Sequence, residues 1–487
     1  MVPRGRTLEQ QIFAAGSQLR APTSAFALNE GPSQAPGGTQ TGSPAAEEQR
    51  SLGLHTDRMA AVLRLLLPCL LAQVWLVPGV AQARPQTPAV QNETFQEVQA
   101  PEEEEEEEPW LMASGYQLSE QTSNLGFSLL RKISMRHEGN VVFSPLGLSL
   151  AMAALMLGAT GQTRAQLEGV LSLQAPSQTG PGHLPALFRR LRQHLSRNQE
   201  LGLTQGSLAF VQEDFDIKGT FLNLSKRYFD TECVTMNFHN ASQARKLMNH
   251  YINRETQGKI PTLFDKVNPD TKVILVDYVL LKGKWLTPFD PVFTKADTFH
   301  LNKYKTVKVP MMYSAGNFAS TFDERLRCHV LKLPYRGNAS MLVVLMEKMS
   351  DHLALEDYLS TELVDTWLRN MRTRHMEVFF PKFKLDQKYE MHELLKQMRV
   401  TRIFSPWANL GELSAMARNL KVSQVLQRAV IEVDEKGTEA AAGTLSEIIA
   451  YSMPPIIKVN RPFHFLIYEE TWRVPLFLGR VVNPTLL

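Results

Sequence analysis

Cysteine is scarce in this chain, with three in 487 residues. Cys69 sits in an apolar run near the N-terminus, leaving Cys233 and Cys328 for the rest. Two thiols make no disulfide framework, so the fold must rest on its hydrophobic core. Their spacing supports no pairing, and two separate thiols are expected. The spacings that carry chemistry are also missing. There is no Gly-x-Ser-x-Gly elbow, no His-Glu-x-x-His and no Cys-x-x-Cys. His392 and Glu393 have no second histidine four residues on and read as a surface helix pair. An enzyme is therefore not expected, nor a metal, an organic cofactor or nucleic-acid binding.

Long apolar runs are equally few. Residues 59–83 carry a charge at Arg64, an apolar middle broken by Pro68, and Ala81 and Ala83 in an Ala-x-Ala arrangement. This is the pattern of a secretory signal peptide. A membrane anchor would need about 20 unbroken apolar residues, which this run lacks. Residues 1–58 are rich in Gly, Pro, Gln and Ser and have no sustained apolar period. They are expected to be a disordered upstream extension, with Met59 as the usual initiator. The mature protein is then secreted.

Charge is balanced overall, at +3, but unevenly spread. Glu102 to Glu108 form an unbroken acidic run within residues 84–117, which are expected to be a disordered tail. Without that run, residues 84–487 hold 46 Lys and Arg against 37 Asp and Glu. A basic body behind an acidic tail suggests a polyanion-binding surface with the tail as competitor, or simply a solubilising tail. Asn-x-Ser/Thr acceptors at Asn92, Asn223, Asn240 and Asn338 become glycan candidates behind a secretory signal.

From about residue 118 the pattern alternates between helix and strand. Helical spacing is expected over 123–137, 144–157, 184–197, 217–229, 241–256, 353–371 and 389–398. Strands are expected at 273–281, 341–346, 425–433, 463–468 and 476–482. Gly158 to Gly161 superficially suggests a phosphate loop, but no Lys-Ser/Thr follows. A helix C-cap and a capping box between Thr163 and Gln166 account for it instead. Neither a repeat nor a second globular domain is evident. Residues 437–444 stand apart, being small almost throughout (Gly437, Thr438, Glu439, Ala440, Ala441, Ala442, Gly443, Thr444). Such a segment can lie in a loop and can also slide between two strands, because nothing bulky stops it.

The run from Asp434 to Ala442 resembles the hinge of an inhibitory serpin. Other serpin-like blocks follow in order: Asn140-Val-Val-Phe-Ser-Pro145, Lys282-Gly-Lys-Trp285, Val309-Pro-Met-Met312, Asn460-Arg-Pro-Phe463 and Phe477 to Pro484. The resemblance covers roughly residues 118–487. It implies an α+β fold of three β-sheets and about nine helices, with an exposed reactive-centre loop. It implies a suicide-substrate inhibitor whose reactive bond is Tyr451–Ser452 and whose hinge comprises Glu435, Gly437, Thr438, Glu439, Ala440, Ala441 and Ala442. A non-inhibitory plasma carrier is the alternative. Tyr451 suits the deep apolar pocket of a chymotrypsin-like protease.

The whole-body pattern, with Ala450-Tyr-Ser-Met453 and the acidic tail, is similar to a plasma member of that family. That similarity implies coagulation factor Xa as target, assisted by protein Z, calcium and phospholipid, and factor XIa without that help. Protein Z would dock on the face of Tyr304 and Asp357, with Asn302 nearby. On a helical period, residues 184–197 put Leu184, Phe188, Leu191 and Leu195 on one side, away from Arg189, Arg190, Arg192, His194 and Arg197. The resemblance implies heparin binding on this cationic face; a merely solvated face is the alternative. Serpins often place an Asn and a His under the main sheet. Here those positions are expected to be Asp277 and Phe379, which could not form that pair.

Overall fold

In the computed structural model the described residues are 109–172, 183–436 and 454–486. The expected upstream extension, signal and glutamate run, with Asn92, lie outside them. So do the loop residues from Gly437 to Met453. Helix α1 (Pro109–Ser134) starts within the stretch expected as tail.

A five-stranded sheet has the order β10 (Phe383–Glu390), β11 (Val422–Val433), β4 (Val273–Leu281), β2 (Leu203–Gln212), β3 (Thr231–Met236). All nine residues of β4 are buried, as its unbroken apolar, β-branched run demands. A nine-stranded sheet runs β1 (Val141–Phe143), β14 (Pro475–Val481), β13 (Phe463–Glu469), β8 (Ala339–Met346), β7 (Cys328–Tyr335), β6 (Thr306–Asp323), β9 (Arg372–Pro381), β12 (Ile456–Lys458). A further strand, β5 (Lys295–His300), pairs with β6. The expected three sheets form two hydrogen-bonded ones because β6, 18 residues long, runs through two of them. It pairs first with β5, then with β9, and finally with β7.

Helix α2 (Pro145–Gly158) lies against both sheets, contacting β4 and β14, and Leu157 is its one residue that is not buried. Ser144 caps it, its Oγ accepting from the Gly147 N–H at 3.0 Å, with Pro145 at the first position. The other helices are α3 (Gly161–Val170), α4 (His183–Arg197), α5 (Gly219–Phe229), α6 (Ala241–Glu255), α7 (Leu355–Tyr358), α8 (Thr361–Asn370) and α9 (Met391–Gln397), making nine among the described residues. None is long and apolar enough to cross a membrane. Cys233 and Cys328 are both free, and Cys328 is buried.

Three local expectations are corrected. The helix expected over 353–371 is broken in two, because Ser360 is extended and caps α8 by accepting from Leu363 N. His392 is buried, not on the surface. Thr163 and Gln166 form no capping box. Thr163 Oγ1 instead accepts from Asn409 N (2.9 Å), and Gln166 Oε1 from Thr401 N and Arg402 N (3.0 and 2.9 Å). These side chains therefore hold the segment leading into β11, an arrangement that local spacing does not reveal. Gln166→Ala would leave two backbone donors without an acceptor and should cost about 1–3 kcal/mol, measurable by urea unfolding. Unchanged stability would contradict the assigned role.

Candidate functional site

Strands β4 and β11 pair in parallel, with Val422 opposite Val273 and Ile431 opposite Leu281. Their outer neighbours are both antiparallel: β10 on β11, and β2 on β4. A segment turning back after β11 and lying in the seam would be antiparallel to both its neighbours. The chain leaves β11 at this same end, through Asp434, Glu435 and Lys436.

That exit is tied down. Trp285 Nε1 donates to Asp434 O at 2.9 Å, and its ring stacks on Tyr335 at 4.2 Å. Lys282 Nζ lies 2.9 Å from Glu432, and Lys382 Nζ lies 2.8 Å from Glu435 Oε2. Burial opposes the charge on Glu435. The hydrogen bond and the charge of Lys382 nevertheless hold its carboxyl below the ordinary range. Of the expected hinge only Glu435 is described. Gly437, Thr438, Glu439, Ala440, Ala441, Ala442 and the bond Tyr451–Ser452 lie outside the described residues. Beyond them Pro455 O accepts from Glu377 N (3.0 Å), and β12 runs parallel to β9.

The middle of the seam contains polar groups where an apolar core would be expected. Asp277 on β4 faces Gln427 on β11 in register, and both are buried. Gln427 Nε2 donates to Asp277 Oδ2 (2.6 Å) and to Ser144 O (2.9 Å), while Gln427 Oε1 accepts from Ser144 N (2.8 Å). One glutamine thus bridges both strands and the start of α2. Phe379 lies on β9 in the other sheet, so the expectation that it occupies the position facing Asp277 is corrected: that position is Gln427, which does bond to Asp277. Gly147 lets α2 sit this close, since a Cβ there would lie 2.3 Å from Asp277 Oδ2. Burial pushes the Asp277 carboxyl up to about 7, against the opposing hydrogen bond from Gln427. Ser207, opposite Asp277 on β2, is buried with no partner for its hydroxyl. Both residues line a cavity of about 110 Å³ under α4.

The remaining sequence-predicted residues fall into separate groups. On α4, Leu187, Phe188, Leu191 and Leu195 are buried. Arg192 pairs with Asp230 at 3.0 Å. His194 Nε2 lies 3.1 Å from the buried carboxylate of Glu469, while its side chain stays 38 % exposed. Arg197 is exposed, and Arg189 and Arg190 are partly so. Tyr304 is 93 % exposed at the tip of the β5–β6 hairpin. Asn302 builds that tip, its Oδ1 accepting from Tyr304 N and Lys305 N at 2.9 Å. Asp357 is exposed on α7. Asn223, Asn240 and Asn338 are exposed, but Asn338 Nδ2 already donates to Glu469 and Thr471.

The serpin (serine protease inhibitor) family model matches residues 120–484. The chain is a member of the serpin family. It is 72% identical over 444 residues to human protein Z-dependent protease inhibitor, covering 88% of this chain and all of that one. The corresponding rat protein is 64% identical at the same coverage. Among solved structures, mouse protein Z-dependent protease inhibitor matches with a TM-score of 0.74 and 68% identity, over 78% of this chain and all of that one. Human thyroxine-binding globulin matches at 0.69 and 31%, over 77% of this chain and all of that one.

The buried Asp277 has a pH signature. Its folded ionisation lies near 7, against about 4 when unfolded. The native serpin therefore keeps its full stability below about pH 4 at this position and loses it as pH rises through 7. The loss is of the order of 4 kcal/mol. Asp277→Asn should raise Tm at pH 7.4 and flatten its dependence between pH 5 and 8. An unchanged Tm and slope would show that Asp277 is not the source.

Proposed function

We propose that this serpin is a secreted, non-catalytic inhibitor that traps serine proteases by inserting its reactive loop into the β4–β11 seam. One observation carries the reading: a small-residue segment follows directly from the strand that borders a parallel seam with antiparallel flanks. A protease attacks the carbonyl of Tyr451 and forms an acyl-enzyme, with Ser452 as the new N-terminus. The freed hinge then enters between β4 and β11 from the end where Glu435 leaves the sheet. Side chains alternate along a strand, so Thr438, Ala440 and Ala442 share one face and Glu439 and Ala441 the other. With Glu439 turned to solvent, the small Thr and Ala set faces the core. Full insertion alongside β11 moves an attached protease by about 40 Å. Displacing its catalytic groups by even about 1 Å slows deacylation, which prolongs the trap.

Partners follow from the relatives. The names of the human and rat relatives point to protein Z as cofactor. We assign factor Xa as the target assisted by protein Z, calcium and phospholipid, and factor XIa as the target without them. Tyr451 fits an Arg-preferring protease poorly, so inhibition stays slow until a cofactor raises effective concentration. Protein Z docks on the face of Tyr304 and Asp357, where an exposed tyrosine and carboxylate offer contacts to a basic partner. Heparin binds the outer face of α4 through Arg189, Arg190, Arg192, His194 and Arg197, of which Arg192 also pairs with Asp230 and His194 with Glu469. Asn92, Asn223, Asn240 and Asn338 are its glycan acceptors.

Thr438→Arg puts a charge on the inserting face. It should abolish the gel-stable complex with factor Xa, plus protein Z, calcium and anionic phospholipid, while the loop is still cleaved. A covalent band of wild-type intensity would contradict insertion at this seam. If wild type forms a band with chymotrypsin alone, the target assignment is wrong and the mechanism stands. Replacing Arg189, Arg190 and Arg197 by Ala should lower the salt needed to elute from heparin-agarose. Unchanged elution would end that assignment.

A further inference from the structure

We propose that Glu356 is a positioning residue for partner docking: its buried carboxylate fixes the short helix α7 so that Asp357 and Tyr358 project as a rigid contact. The proposal rests on the reading above that Asp357 faces a macromolecular cofactor. Four residues cannot hold a helix by themselves, so α7 must be fixed by its surroundings. Leu355 and Leu359 anchor it through the core. Glu356 lies between them at 2 % exposure, whereas its neighbours Asp357 and Tyr358 are exposed, Tyr358 at 57 %.

The anchor of Glu356 is ionic. Its Oε1 accepts from Arg480 Nη1 at 2.5 Å and from His464 Nε2 at 2.8 Å, and Ser134 adds a further hydrogen bond. Arg480 is fully buried and donates also to Ser134 Oγ and to the carbonyls of His137 and Gly139. His464 is held below its ordinary pKa, chiefly by burial, and its Nδ1 has no partner. That is the neutral tautomer with its proton on Nε2, so the cluster holds one cation and one anion. Outside this core the neighbouring ionisable side chains are Arg131, His137 and His352. Arg131 Nη1 donates to the carbonyls of Glu356 and Leu359 at 3.2 and 3.3 Å, clamping α7 from α1.

An apolar side chain at position 356 would bury the helix as well, but without fixed direction. The ion pair sets the rotation of α7 and hence where Asp357 points. A partner of matching chemistry offers a cation to Asp357 and a guanidinium or apolar side chain to Tyr358. Because the contact is already ordered, binding loses less conformational freedom.

The test uses the full secreted chain and measures three things: affinity for protein Z, hydrogen exchange at residues 355–359, and inhibition of factor XIa without cofactor. Asp357→Asn should weaken binding by about tenfold. Glu356→Gln should weaken it by at least as much, speed exchange at α7 and leave cofactor-free inhibition within about twofold. Arg131→Met removes only the outer clamp and should weaken binding severalfold. If Glu356→Gln does not fold, Arg131→Met and the paired replacement E356M with R480M, which leaves no buried charge alone, decide the matter. Faster exchange at α7 with wild-type affinity overturns the positioning role, while the docking reading survives if Asp357→Asn still binds weakly. Wild-type affinity in Asp357→Asn removes the docking reading and this proposal with it.

Discussion

A parallel strand pair held between two antiparallel neighbours gives the five-stranded sheet one place that readily takes another strand. Adding a strand between β4 and β11 replaces a parallel ladder, the slightly weaker kind, by two antiparallel ones. Every other feature of the candidate site is arranged around that seam. The loop leaves at its end, the ties of Lys382 to Glu435 and Trp285 to Asp434 guard its entrance, and Gln427 closes its middle.

The middle is also where the fold is least comfortable. A carboxyl shifted to about 7, a buried serine hydroxyl without a partner and a cavity of about 110 Å³ meet at one level of the sheet. The raised carboxyl and the unpartnered hydroxyl each cost stability. If the proposed insertion occurs here, these weak points lie where it would release energy. The Glu356–Arg480 pair lies elsewhere, buried beneath the short helix α7.

Much of this could be read in the chain itself. The unbroken apolar run of β4 announced a buried strand. The amphipathic spacing of α4 gave Phe188, Leu191 and Leu195 of its buried face, but it missed the buried Leu187 and counted Leu184, which is only half-buried. What escaped depends on contacts between distant segments. Gln427 and Asp277 lie 150 residues apart, and only the register of β11 on β4 brings them together. Phe379 was expected at the position facing Asp277 because Pro381 and Lys382 resemble a family motif, but the stretch up to Pro381 forms β9 in the other sheet. Glu356 looks like any acidic residue on a polar helix, and nothing nearby reveals that Arg480 waits beneath it. Thr163 and Gln166 had the spacing of a cap, yet they bond to a segment far along the chain. The helical angle placed His194 on the cationic side but gave no sign that its ring reaches the buried Glu469.

The most direct measurement of the central claim is thermal unfolding of the protein before and after its loop is cut near Tyr451 by a protease that does not stay bound. If the freed segment enters the β4–β11 seam, the cleaved form melts far above the native one. If the two forms melt together, the seam does not accept the loop, and trapping by insertion is contradicted.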